Sequence, residues 1–171
     1  MTTPADKIAG APISWGVCEV PGWGYQLSRE RVLTEMQQVG LAATEFGPDG
    51  FLPADPAVMA DFLASRHLTA VGGFTPVVLH EAGHDPGPGI DRLLDSYDAS
   101  HAGVLVLSAA TGQDGYDTRP DLDEAGWKTL LTNLDRLTNL AAAHGVRAVL
   151  HPHVGTMIER GADYLRTLLT A

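Results

Sequence analysis

The feature that most constrains this chain is an alternation. Short apolar runs are followed by longer segments of helical periodicity, five times in succession. Three of the helix-to-strand joints read almost alike: Val39-Gly40-Leu41, Ala102-Gly103-Val104 and His144-Gly145-Val146. Two parallel neighbours in a sheet need a crossover of a dozen or more residues between them, and a helix is the usual way to make it. A chain written this way is therefore expected to form a parallel sheet covered by helices.

The elements follow from local signals. Ile8 to Trp15 reads as a first strand. Arg29 to Val39 reads as a helix, with Ser28 as its N-cap and Gly40 as its C′ residue. Leu41 to Phe46 is a second strand. Asp55 caps and Pro56 opens a helix to about Arg66. Leu68 to Phe74 is a third strand, continuing irregularly to His80, and Ile90 to His101 a third helix. Val104 to Leu107 is a fourth strand. In the fourth helix, Trp127, Leu130, Leu131, Leu134, Leu137 and Ala141 form one apolar stripe, and Gly145 ends it. Val146 to Leu150 is a fifth strand, and Ala162 to Leu169 starts a fifth helix.

Two architectures accommodate five βα units. An open doubly wound sheet usually carries a glycine-rich turn after its first strand. Gly22-Trp23-Gly24 does not match G-x-G-x-x-G, and there is no P-loop. A (β/α)₈ barrel gathers polar residues at the C-terminal ends of its strands. Ser14, Trp15, Glu45, His80, Ser108, His151 and His153 all fall at or near such ends. The barrel is the expected fold. A full one needs roughly 250 residues, so this chain is about three units short. With no Pro/Gly/Ser linker, residues 1–171 are expected to form one partial barrel domain.

Composition narrows the function. The 21 acidic against 11 basic residues give a net charge of −10, which disfavours a sequence-independent grip on nucleic acid. No run approaches the roughly 18 apolar residues of a membrane span. Residues 1–9 have no long apolar core of the kind a secretory signal carries. Cys18 is the only cysteine, compatible with a reducing, cytoplasmic setting.

His151 and His153 carry the strongest hint of chemistry. Side chains two apart on a strand point to one face, so both imidazoles can reach one point. Imidazole binds divalent transition metals and moves protons near neutral pH. The plain alternative is two histidines hydrogen-bonded within a strand-end layer. Glu45 is either an acid/base or substrate group, or half of an ion pair in the barrel core. Trp15 either stacks on the C–H face of a sugar ring or simply packs. His80 opens a glycine- and proline-rich loop and could face substrate. His67, His101 and His144 sit at helix C-termini, where a cation is favoured. His84, Asp117 and Asp121 read as solvated, and Glu159 as first-turn helix chemistry.

Four phrases, in order, carry a family likeness: Ala11-Pro12-Ile13-Ser14-Trp15-Gly16, Pro21-Gly22-Trp23-Gly24, Thr44-Glu45-Phe46-Gly47-Pro48-Asp49-Gly50, and His151-Pro152-His153-Val154-Gly155-Thr156. The chain resembles the inosose dehydratases of the xylose-isomerase-like barrel superfamily. The resemblance implies a Mn²⁺- or Co²⁺-assisted loss of water from 2-keto-myo-inositol within inositol catabolism. Taken with the residue readings above, His151 is expected as a metal ligand, His153 and Glu45 as catalytic groups, and Trp15 and His80 as contacts to a cyclic keto-polyol. His151 stands where the superfamily's fifth-strand glutamate ligand would be, and the later ligand-bearing strands are absent. A sugar isomerase or epimerase of the same superfamily is the alternative. A third reading is an inactive fragment, or one that associates with itself through open sheet edges.

Overall fold

The computed structural model describes residues 8–170, apart from Glu19, Pro21 and Tyr116. Five strands and five helices alternate: β1 (Ala9–Gly10), α1 (Arg29–Gln38), β2 (Ala43–Glu45), α2 (Pro56–Ala64), β3 (Thr69–Val78), α3 (Gly87–Ser100), β4 (Val104–Ala110), α4 (Glu124–Ala143), β5 (Arg147–Leu150) and α5 (Gly161–Thr170). The strands form one parallel sheet in the order β1-β2-β3-β4-β5, with a helix in each connection as parallel neighbours need. Among the described residues, no helix is long and apolar enough to cross a membrane.

The caps explain the helix boundaries. Ser28 Oγ accepts from the Arg31 amide, Asp55 Oδ1 from Val58 and Asp123 Oδ1 from Gly126, each meeting one of the amides a helix start leaves unpaired. At the far ends, Gly40 and Gly145 take the left-handed conformation. The middle joint differs from its look-alikes. There His101 is the left-handed residue, at φ 57°, and the Gly103 amide instead donates to Val71 O in the sheet.

The first strand is much shorter than the expected Ile8 to Trp15. Pro12 has no amide to give a ladder, and it opens a 3₁₀ turn over Pro12–Trp15 that ends at Gly16. β3 continues as strand to Val78, within the expected irregular extension toward His80, and β4 runs past the expected Leu107 to Ala110.

The chain divides into two compact units, one of residues up to Phe74 with Leu94–Val104, the other of Thr75–Leu93 with Leu105 onward. In the first, Ala9 and Gly10 pair with Ala43 and Thr44, which in turn pair with Thr69 and Ala70. A register shift then sets Glu45 opposite Gly72. Gly72 cannot be anything larger. A Cβ there would lie 1.8 Å from Val104 O. Val32, Leu33 and Met36 of α1 are fully buried, as is Leu63 of α2 apart from a trace. In the second unit, α4 packs on β5 and buries Trp127, Leu130, Leu137 and Ala141, while Leu131 and Leu134 of the expected stripe are only half-buried. Leu105, Leu107 and Ala109 of β4 are fully buried. Each such leucine stabilises the fold by about 1.5–3 kcal/mol.

Candidate functional site

The second unit holds the histidine pair. β5 ends at Leu150, and the His151 amide donates to Leu107 O at 2.8 Å. In a parallel ladder that bond sets His151 beside Ser108. The His151 and His153 rings lie 5.6 Å apart, tilted by 37°. His153 Nδ1 is 2.8 Å from Val154 O. A carbonyl can only accept, so Nδ1 carries the proton of the neutral ring. Nε2 is left with a lone pair, the form a general base or a ligand needs.

The turn behind the pair is held from several sides. The Thr156 hydroxyl lies 2.7 Å from His153 O and 3.0 Å from Ile158 O, and the Thr156 side chain is buried. The Gly155 amide donates to Glu159 Oε2 at 3.1 Å. The Met157 amide donates to Ala109 O at 2.7 Å, tying the turn to β4. Arg119 Nη1 donates to Thr156 O and Met157 O, both at 3.3 Å, and to Asp163 Oδ2 at 2.8 Å. Asp163 also accepts from the Arg160 amide, the N3 side chain reaching back to the N-cap of α5. Burial alone would raise the Asp163 carboxyl. Hydrogen bonds from Arg119 and from the Arg160 and Glu159 amides outweigh it, holding the group below the ordinary value.

His80 follows β3 in the same unit. It is half-buried, and its Nδ1 is fully buried without a hydrogen-bond partner among the described residues. Burial lowers its pKa, against a smaller opposing pull from the Glu81 carboxylate, so the ring stays neutral at pH 7. Ser108 Oγ is likewise buried and unpartnered. Two such atoms each cost about 1–3 kcal/mol.

The remaining candidates belong to the first unit. The Trp15 indole N–H donates to Glu35 Oε2 at 2.9 Å, which commits that atom to α1. Glu35 is held below the ordinary range chiefly by its hydrogen bond from Arg31. Glu45, half-buried at the end of β2, helps to raise the Tyr97 hydroxyl, although burial is the larger cause. Tyr97 packs edge-on against Phe46 with ring centroids 4.9 Å apart.

Of the five residues expected from sequence, then, the structure brings His151 and His153 together. Sequence reasoning missed the clamp of Arg119, Thr156 and Asp163. Glu159 does more than favour a helix start, since it holds Gly155. An acidic residue at the third helical position of α5 was the available signal for Asp163; nothing local pointed to Arg119.

A transition-metal site takes three or more protein ligands. Among the described residues no group of three or more His, Cys, Asp or Glu is placed to hold an ion. The two imidazoles alone do not make a metal centre, and no step below passes through one.

The fold defines a class. Solved structures of similar architecture include a xylose isomerase-like TIM barrel protein from Mycobacterium smegmatis in complex with magnesium (TM-score 0.63, 14% identity, 95% of this chain and 60% of that one). The IolI protein with a bound zinc atom matches at TM-score 0.65 and 12% identity, over 95% and 58%. A 3-keto-D-glucoside 4-epimerase from E. coli matches at 0.68 and 16%, over 96% and 64%. The chain thus has the fold of part of a TIM barrel, similar to that of these structures. In sequence, it is similar to curated inosose dehydratases: 28% identical over 166 residues to that of Erwinia tasmaniensis, covering 92% of this chain and 54% of the relative. The match to the Lacticaseibacillus casei enzyme is 27% over 170 residues, covering 95% and 56%. The chain spans about half the length of these relatives. No family model matches it.

Proposed function

We propose that this chain supplies the first five βα units of a carbon–oxygen lyase of the inosose dehydratase type, acting on a cyclic keto-polyol such as 2-keto-myo-inositol. The observation that carries the reading is the 2.8 Å contact of His153 Nδ1 with Val154 O, with the His151 ring 5.6 Å away; in the matching neutral tautomer Nε2 is the basic nitrogen. Nε2 takes the proton α to the ketone. The electron pair forms the enolate and then expels the β-hydroxyl, which leaves with a proton as water. The enol product tautomerises to a cyclic diketone. Glu45 is the second acid/base candidate, and Trp15 and His80 are proposed substrate contacts. A divalent cation, Mn²⁺ or Co²⁺ with His151 as one ligand, belongs to the same proposal. It requires further donors from outside the described residues; the zinc in IolI and the magnesium in the M. smegmatis protein support an ion in this fold. A single partial barrel domain, a cytoplasmic setting and self-association through the β1 and β5 edges are further parts of the proposal.

The test is proton abstraction itself. The purified 171-residue chain is incubated in D₂O with 2-keto-myo-inositol, with and without Mn²⁺. Deuterium wash-in at the α-carbon, with release of the diketone, supports the reading when His153→Ala abolishes both. Wash-in that is absent, or equal in wild type and variant, overturns it. The second reading, an epimerase, is favoured by the E. coli epimerase fold match. It predicts a deuterated epimer with no loss of water.

A further inference from the structure

The 2.8 Å contact between His153 Nδ1 and Val154 O holds only while the Val154–Gly155 peptide keeps its present orientation. A peptide unit is planar and trans, so its C=O and N–H point in opposite directions and turn together. The far side of this unit is gripped as well. The Gly155 amide donates to Glu159 Oε2 at 3.1 Å. One peptide plane thus carries an imidazole on its oxygen side and a carboxylate on its hydrogen side.

That plane needs a restraint. Gly155 sits at φ 68°, and glycine takes either sign of φ at little cost, so the peptide before it can turn over with its flanks in place. A turned peptide would point its N–H where the carbonyl points now, toward His153 Nδ1. Nδ1 would then accept, and the ring proton would move to Nε2. The flanks are held separately. The His153 amide donates to Ile158 O at 3.2 Å, the Thr156 hydroxyl to His153 O at 2.7 Å and the Met157 amide to Ala109 O at 2.7 Å. None of these bonds involves the Val154–Gly155 unit. The Glu159 backbone is itself fixed, since its amide donates to Asp163 Oδ2 at 3.3 Å. A carboxylate can only accept, so it admits one orientation of the peptide, with the N–H toward itself. Its charge also polarises the amide and strengthens the bond at the carbonyl end.

We propose that Glu159 is a positioning residue for His153: acting through the Val154–Gly155 peptide, it selects the tautomer with the proton on Nδ1 and the lone pair on Nε2. The proposal rests on the lyase reading for its bearing on turnover. The tautomer itself is observed without substrate, so the two readings fail separately.

The experiment records long-range proton–nitrogen NMR correlations of the histidine rings in the ¹⁵N-labelled chain, at about pH 8.5, above the ordinary imidazole pKa. Deuterium wash-in on 2-keto-myo-inositol is measured alongside. Wild type should show His153 protonated at Nδ1. Glu159→Ala should move the ring proton to Nε2 in a large share of molecules and slow wash-in by about tenfold, the loss of one charge-assisted hydrogen bond. Glu159→Gln keeps an oxygen acceptor and should retain the wild-type tautomer. A residue that merely helped to start α5 would leave the ring unchanged. The Glu159 side chain is exposed and its bond to Asp163 is made by backbone, so unchanged amide shifts away from this turn will show both variants folded. The assignment is overturned if Glu159→Ala keeps the wild-type ring pattern, or if Glu159→Gln loses it as completely as Glu159→Ala. A ring that switches as expected, with no wash-in even in wild type, supports the assignment and refutes the lyase reading.

Discussion

Asp163→Ala removes three acceptor contacts at once, from Arg119 Nη1 at 2.8 Å, the Arg160 amide at 2.9 Å and the Glu159 amide at 3.3 Å. The Arg119 side chain is only 14% exposed and that of Asp163 13%, so the guanidinium left behind is poorly hydrated. Breaking a buried pair from one side costs about 3–5 kcal/mol. Arg119 keeps two carbonyl acceptors at 3.3 Å, which puts the expected loss near the lower end, about 3 kcal/mol. Asp163→Asn leaves an oxygen in the same place and removes only the charge, for about 1–1.5 kcal/mol. Urea unfolding followed by circular dichroism measures both. The pH dependence adds a sign. The folded pKa is depressed, so the stabilisation is fully present above the unfolded value of about 3.9 and is lost as pH falls through the folded one. The gap between wild type and Asp163→Asn should therefore close in acid. A gap that stays constant from neutrality down to about pH 2 refutes the ionic part of the argument. Losses below about 0.5 kcal/mol for both variants would make this an ordinary surface pair and refute the clamp.

His80 should titrate below its ordinary value, because burial disfavours its charged form. Its folded state then resists protonation while the unfolded state binds a proton, so this residue's contribution to stability falls as pH drops below about 6.5. An NMR midpoint for His80 above that value contradicts the burial. Gly72→Ala forces a Cβ to within 1.8 Å of Val104 O at φ +146°. It should cost at least about 3 kcal/mol, or prevent folding, in a thermal melt; a neutral outcome would mean that β3 and β4 approach less closely there. Leu137→Ala in the buried stripe of α4 should cost about 2–5 kcal/mol in urea, whereas half-buried Leu134 should cost clearly less.

The helical part of the fold was legible because its signals are local. Ser28 and Asp55 act within one turn and cap as their type demands, and four of the six residues in the α4 stripe are buried. The first strand was misjudged because an apolar run looks the same whether or not Pro12 bends it into a 3₁₀ turn. At the site, the histidine spacing was legible. The tautomer of His153 was not, since it depends on where Val154 O points. Arg119 stayed invisible for another reason. Its partners lie 37 to 44 residues further along the chain, and only the tertiary fold makes them neighbours.

The position of the shared phrases bears on how far likeness can carry function. Three of them place Gly16, Gly24 and Gly47 at positive φ, where a side chain is strained, and Gly24 also lies too close to Gly16 O to carry a Cβ. Such glycines answer to loop geometry, and loop geometry is compatible with several reactions on one barrel. The fourth phrase differs in kind, because it places two imidazoles 5.6 Å apart and fixes the proton on one of them. Lyase and epimerase share the same first proton transfer and part only at the fate of the enolate. In the proposed reading His153 makes that transfer. What decides between the outcomes is whether the hydroxyl beside the enolate meets an acid.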